Sequence, residues 1–246
     1  MVKAPIEQQR KLLELQRVDS ALARVAHERR TLPVLSKIED LINSLGENKR
    51  RMTLARAAVD DARRVATRAD DDVAKVVNRA GVLRDRLNAG GMSPKDLSAL
   101  QGEIDQLGRR QGVLEEAQLE AMEAVEKAQQ EFDEAAAQEQ KIREEGRELT
   151  AKRDAAFQRL DMEATQLRGE RDMIVARLDT ALVADYDAVR EETGGLGVVA
   201  LYGRRIEDDL IPVSPQELAS IMAADQDEVI HSQEAEVIIV RMTDAD

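Results

Sequence analysis

Cysteine and tryptophan are both absent from the 246 residues, and aromatic side chains make up only 2% of them. The first absence excludes disulfides, thiolate catalysis and cysteine-ligated zinc. The second removes the large side chains that usually fill a thick globular core. Long apolar runs are missing too. No stretch approaches the roughly 20 residues that span a bilayer, and the N-terminus, MVKAPIEQQRKLLELQR, lacks the apolar core of a signal peptide. The expected location is therefore the cytoplasm, with no membrane partner. Basic charge is also short, the net charge being −13. From residue 201 onward three Arg stand against eleven Asp or Glu, a net −8, whereas the first 200 residues carry a net −5. An acidic tail on a nearly balanced remainder is a poor electrostatic match for phosphate backbones.

What the chain does have is charge and alanine. Charged residues reach 35%, yet 43% is hydrophobic, which is too apolar for simple disorder. Composition rich in Ala, Glu, Lys, Leu and Arg marks long helices that bury a narrow seam. The periodicity agrees. Leu45, Met52, Val59, Ala66, Val73, Ala80 and Leu87 fall seven apart, with Ala55, Ala62, Ala69, Val76 and Leu83 as a companion seam and Asn48 as its polar start. A second series runs Leu100, Leu107, Leu114, Ala121, Ala128, Ala135, Ile142, Leu149 and Ala156, with Leu97, Ile104, Val125 and Phe132 as partner positions. Seven-residue repeats this long require a left-handed supercoil to keep the stripe facing a partner.

Between the two series lies Asn88-Ala-Gly-Gly-Met-Ser-Pro-Lys-Asp96. Gly90 and Gly91 suit a left-handed helix stop, Ser93 an N-cap, Pro94 the first helical position, and Asp96 a capping box. So short a link, with its turn at residues 89–94, makes the flanking helices antiparallel neighbours. Counting outward, facing residues have numbers summing to about 184, so Ala80 meets Ile104 and Leu45 meets Glu139. The first arm is expected over residues 5–88 and the second through Leu160, Leu167, Ile174 and Ala181 to about 191. Pro33 predicts a kink near Thr31–Leu35. There the seam changes phase from Leu15, Leu22, Val18 and Val25 to Ile38 and Leu45. The alanine-rich middle buries little area and is expected to be the weaker part. Gly102, Gly108, Gly112 and Gly146 each cost about 1 kcal/mol in a helix interior, and the first three are expected to allow close packing near the turn.

The pattern changes after Glu192. Thr193-Gly-Gly-Leu-Gly197 breaks the helix, and Val198–Tyr202 reads as a strand. Ser214-Pro-Gln-Glu217 reads as a capping box opening a helix to Ala223, followed by strands at 228–231 and 237–241. The expected division is a hairpin over 1–192 and a small α+β domain over 193–246. The fold class is mainly α: a long antiparallel two-helix coiled-coil hairpin with that domain appended. So small a unit needs a metal, a disulfide or a partner surface, and docking on the base of the hairpin supplies the last.

The order of features resembles a bacterial family of coiled-coil hairpins ending in a four-cysteine zinc ribbon. The matching pieces are Met92-Ser-Pro-Lys-Asp-Leu-Ser-Ala-Leu-Gln-Gly-Glu-Ile104, the run Leu114-Glu-Glu to Met122-Glu, and Leu182 to Tyr186. Gly203-Arg-Arg, Ser214-Pro-Gln-Glu-Leu218 and Asp227-Glu-Val-Ile230 complete it. On this resemblance the ribbon's two metal knuckles map onto Ile206–Asp209 and Ser232–Ala235, so the ligand positions are Ile206, Asp209, Ser232 and Ala235. Tetrahedral structural zinc needs four strong ligands, and of these residues Asp209 alone could serve. The resemblance thus implies a degenerate ribbon without metal or cofactor, in which Ile206 and Ala235 replace the metal with apolar contacts. It also implies an adaptor, since members of that family are similar to proteins that bind an alternative sigma factor, secretion or flagellar components, or RNA.

Other residues carry weaker chemistry. Glu207-Asp-Asp209 reads as a solvated acidic loop, because hard cations need more oxygen ligands at defined geometry. His231 stands beside a lost ligand position, where with Asp209 it supplies too few ligands. Asp70-Asp-Asp72 is a charged helix face, and His27 lies on a highly charged stretch. Arg29-Arg30, Lys49-Arg-Arg51, Arg63-Arg64 and Arg109-Arg110 are interleaved with acids and lack aromatic stacking partners. No catalytic residues, pocket pattern or phosphate loop are visible. The reading is a non-enzymatic adaptor or scaffold whose partners are proteins, with Gly90–Ser93 and the surface around Val198–Tyr202 as contact regions. Association of two copies is left open, and an RNA-associated regulator is the alternative.

Overall fold

Helix stop and start signals partition the chain. A computed structural model describes residues 2–203, 205–206 and 213–242. Helix α1 spans Ile6–Arg30, α2 Pro33–Asn88, α3 Pro94–Val175, α4 Thr180–Glu192 and α5 Pro215–Ala223. Strands β1 (Val198–Tyr202), β2 (Arg205–Ile206), β3 (Ile230–His231) and β4 (Ile238–Met242) form one sheet. The break near Pro33 is narrow: α1 ends at Arg30, Thr31 closes it by donating to Glu28 O and His27 O, and α2 restarts at Pro33. At the other turn Gly90 and Gly91 take positive φ, 70° and 79°, and Ser93 Oγ accepts from Asp96 N–H at 3.3 Å.

Two expectations need correction. The second arm does not run on to residue 191, because α3 ends at Val175 and α4 starts afresh at Thr180. Asp179 is the reason, since its side chain accepts from Ala181 N–H at 2.8 Å as an N-cap, while its own N–H donates to Gln8 Oε1 at 3.0 Å. The helical glycines near the turn do not serve close packing either: a Cβ added at Gly102, Gly108 or Gly112 would meet nothing within 4 Å.

By its contacts the chain divides into two units that cut across the 1–192 and 193–246 division expected from sequence: Ser36–Thr150, and Met1–Leu35 with Ala151–Asp246. The first unit is the antiparallel pairing of α2 with α3. Asn48, Ala55, Val59, Ala80 and Leu83 of α2 are buried, as are Leu100, Ile104, Ala121, Ala128, Ala135 and Ile142 of α3. These are the heptad positions. The counting rule holds, with Arg79 Nη2 2.9 Å from Glu103 Oε1 and Asn48 Nδ2 donating to Ala135 O at 2.8 Å. Ala62, Ala66, Ala69, Val73 and Val76 are only half-buried. An Ala-lined seam buries little area per residue, so this stretch contributes less apolar burial than the Leu-rich positions near the turn.

The second unit is built on the sheet, whose order is β2-β1-β4-β3, with β1 and β4 parallel and the other pairs antiparallel. Successive strand side chains point to opposite faces. Val198, Ile238 and Val240 therefore pack on Leu12 and Leu15 of α1 and on Leu182, Tyr186 and Val189 of α4. Val199, Leu201 and Ile239 pack on the other face with Ile221 and Leu218 of α5. Both faces of the central strands are covered, which is why they read as continuous apolar runs. The small sheet thus gains its core from helical side chains, as its size required. No helix among the described residues is long and apolar enough to cross a membrane.

Candidate functional site

The buried polar chemistry gathers where α1, α3, α4 and β1 meet. Along α1, Leu12, Leu15, Gln16 and Asp19 follow the i, i+3, i+4, i+7 spacing of one helix face, and all four are buried. That stripe, rather than Val18 and Leu22, which are half-buried, faces the interior. Gln16 Oε1 accepts from Gly197 N–H at 2.6 Å, and its Nε2 donates to Gly195 O and Ser20 Oγ, each at 2.9 Å. The Tyr186 hydroxyl donates to Asp19 Oδ2 at 3.0 Å and lies 3.3 Å from Gln16 Oε1. Arg171 Nε donates to Asp19 Oδ1 at 2.9 Å, and its Nη2 to Asp187 Oδ1 at 2.6 Å. Arg190 Nε stands 3.8 Å from Asp19 Oδ2, close enough for an ion pair but too far for a hydrogen bond.

Gly197 explains how β1 reaches this cluster. A Cβ there would fall 2.5 Å from Tyr186 Cε2 and 3.2 Å from Arg190 Cβ, so only glycine lets the backbone dock on the ring. The electrostatics follow from burial. Loss of water around Tyr186, reinforced by the Asp19 carboxylate, pushes its phenol pKa far above the ordinary value, although Arg190 and Arg171 pull the other way. For Arg171 burial works against the charge, but the hydrogen bond to Asp19 and the Asp19 and Asp187 charges outweigh it and raise its pKa. The cluster is a clamp between elements. Sequence reasoning passed over Gln16 and Asp19, although two polar residues in phase with a buried apolar stripe were the available signal.

The positions mapped onto metal knuckles are placed as follows. Ile206 is buried in the cluster on the α5 face of the sheet, and Ala235 packs against the same cluster. Ser232 is 3% exposed; its Oγ accepts from Ala235 N–H at 3.0 Å and its N–H donates to Val237 O at 2.8 Å. Asp209, and with it Glu207-Asp-Asp209, lies outside the described residues. His231 faces Asp185 instead, with Nε2 3.2 Å from Asp185 Oδ1. Among the described residues no three His, Asp or Glu side chains converge as metal ligands would.

A groove of about 700 Å³ runs between α5 and β3, lined by Gln216, Glu217, Ser220, Glu228, His231 and Glu234 among others. Ser214 caps α5, accepting from Glu217 N–H at 3.2 Å. The reciprocal half of the expected capping box is absent, because Glu217 Oε1 accepts from Gln233 N–H at 2.7 Å and so ties the 232–236 turn to α5. Arg241 closes the far end of that helix, donating to Ile221 O and Ala224 O at 3.2 and 2.6 Å. The expected contact surface around Val198–Tyr202 is corrected. Val198 to Leu201 are at most 5% exposed, being covered on both faces, and only Tyr202, 38% exposed, reaches solvent. On the hairpin, Asp72 bonds Lys75 at 2.8 Å, which lowers its carboxyl pKa, and Asp70 accepts from Gln118 at 2.7 Å.

Comparison with known proteins places this architecture. The chain is 33% identical over 241 residues to the uncharacterized protein Rv2229c of Mycobacterium tuberculosis, covering 98% of each. A solved Mycobacterium smegmatis protein matches at 33% identity with a TM-score of 0.82, over 98% of this chain and 100% of that one. CT398 from Chlamydia trachomatis shares the fold at 12% identity and a TM-score of 0.67, over 96% and 98% of the two chains. Residues 15–194 match the model of the CT398-like coiled coil hairpin domain, and the chain belongs to that family.

Proposed function

We propose that this chain is a non-enzymatic adaptor or scaffold acting through protein–protein interaction, with the helical hairpin and the sheet region as its contact surfaces. The observation that carries the reading is where the polar groups go. Gln16, Asp19, Tyr186 and Arg171 are engaged with one another and with main chain, joining helices to β1. Recognition is then left to the charged helix faces and to the groove beside α5. Its donors and acceptors are spread along an open trench, which suits a segment of protein better than a small substrate. The same reading takes the sheet region as a zinc ribbon that has lost its metal and needs no cofactor. Its support is that Ile206 and Ala235 share one apolar cluster, the contact expected where a metal has been replaced.

The test is native purification of the tagged full chain after mild cross-linking. It is compared with Gln216→Arg/Ser220→Arg in the groove and Asp70→Lys/Asp71→Lys on the hairpin. A protein partner retained at stoichiometric yield by the wild type and lost by one variant pair supports the proposal and assigns the surface. Recovery of RNA with a salt-dependent mobility shift, and no protein, would transfer the function to RNA regulation. Truncation at residue 192 is a poor substitute, since it uncovers Leu12, Leu15 and Tyr186.

A further inference from the structure

The outer edge of the sheet is occupied by residues from the other end of the chain. Strand β3 pairs with β4 through Ile230↔Ile239, and Ser232 N–H donates to Val237 O. In an antiparallel ladder the main-chain groups of alternate residues address the same neighbour. Ile230 and Ser232 therefore face β4, while Asp227 and Val229 face outward. It is these outward groups that the N-terminal residues take. Val229 N–H donates to Val2 O at 3.3 Å, Ala4 N–H donates to Asp227 O at 2.8 Å, and Lys3 stands opposite Glu228.

One side chain grips both partners. Gln9, 1% exposed, directs Nε2 to Ala4 O at 2.8 Å, to Gln226 O at 3.1 Å and to Glu228 O at 3.5 Å. Two amide hydrogens thus serve three acceptors, and among the described residues the buried Gln9 Oε1 has no hydrogen-bond partner. This attachment is short and incompletely satisfied: two main-chain bonds and the Gln9 amide hold it, while Val2 and Ala4 also pack on the apolar cluster around Leu12 and Tyr186. By contrast β1 and β4 are joined over five registered pairs and are apolar on both faces.

We infer that Val2–Ala4 is a strap that opens independently of the sheet, with Gln9 as its latch, and that its opening frees the outward main-chain groups of Asp227 and Val229. Attachments made by few main-chain bonds open at low local free energy, well below global unfolding.

Native-state hydrogen exchange on the full chain across low urea concentrations tests this. The Ala4 and Val229 amides should exchange by a route nearly independent of urea, at least about tenfold faster than Val199 and Val240. Gln9→Leu should speed Ala4 and Val229 by a further factor of about ten, leaving Val199 and Val240 unchanged. One common urea dependence for all four amides would overturn the strap, since it would then open only with the sheet. Equal Ala4 rates in wild type and variant would remove the latch. Should Gln9→Leu fail to fold, the wild-type urea profile decides alone.

Discussion

Replacing Asp19 by Asn is the sharpest test of the clamp, because it removes one charge while keeping the shape. Asp19 is 2% exposed and accepts from both Arg171 and Tyr186. An Asn side chain offers one oxygen where two acceptors are needed, and its amide hydrogens would point at a neighbouring donor. Breaking a buried pair from one side costs about 3–5 kcal/mol. The Arg171 side chain is 25% exposed and keeps Asp187, so the low end applies, about 3 kcal/mol, or roughly 150-fold in the local opening equilibrium. Hydrogen exchange at the Val198–Leu201 amides, paired with urea melts, reads this directly. Tyr186→Phe leaves the Asp19–Arg171 pair intact and should cost less, about 1–2 kcal/mol. If Asp19→Asn stays within about 0.5 kcal/mol of wild type, or costs less than Tyr186→Phe, the clamp does not hold the sheet to the helices.

Three further outcomes are expected. Because the folded pKa of Tyr186 is raised, folded protein keeps a proton that the unfolded chain releases near pH 10. Stability is therefore full below that pH and declines above it; in Tyr202→Phe protein the phenolate absorbance of Tyr186 should appear only with unfolding. Gly197→Ala should destabilise by about 1–3 kcal/mol, since its Cβ collides with the Tyr186 ring, whereas Gly112→Ala, with open space around it, should stabilise by about 1 kcal/mol in urea melts. Asn48→Leu should raise the urea midpoint of the hairpin while broadening spin-label distances between positions 79 and 103. The buried Asn48–Ala135 bond penalises slipped registers that an apolar seam tolerates.

The hairpin was legible in the sequence because its causes are local. A seven-residue repeat, two glycines with positive φ, and a Ser-Pro restart each act over one or two helical turns, and register follows by counting from Gly90–Ser93. The strand at Val198–Tyr202 and the helix opening at Ser214 were set by the same short-range rules. Tertiary structure alone decided what α1 and the sheet do with each other. Nothing near Gln16 or Asp19 in the chain announces Tyr186, Arg171 or Gly197, since those partners lie more than 150 residues away and meet only when four elements pack. The same holds for Gln9 and the sheet edge. Periodicity reports which face a helix buries; it is silent on what that face is buried against, and long-range polar pairing belongs to that second question.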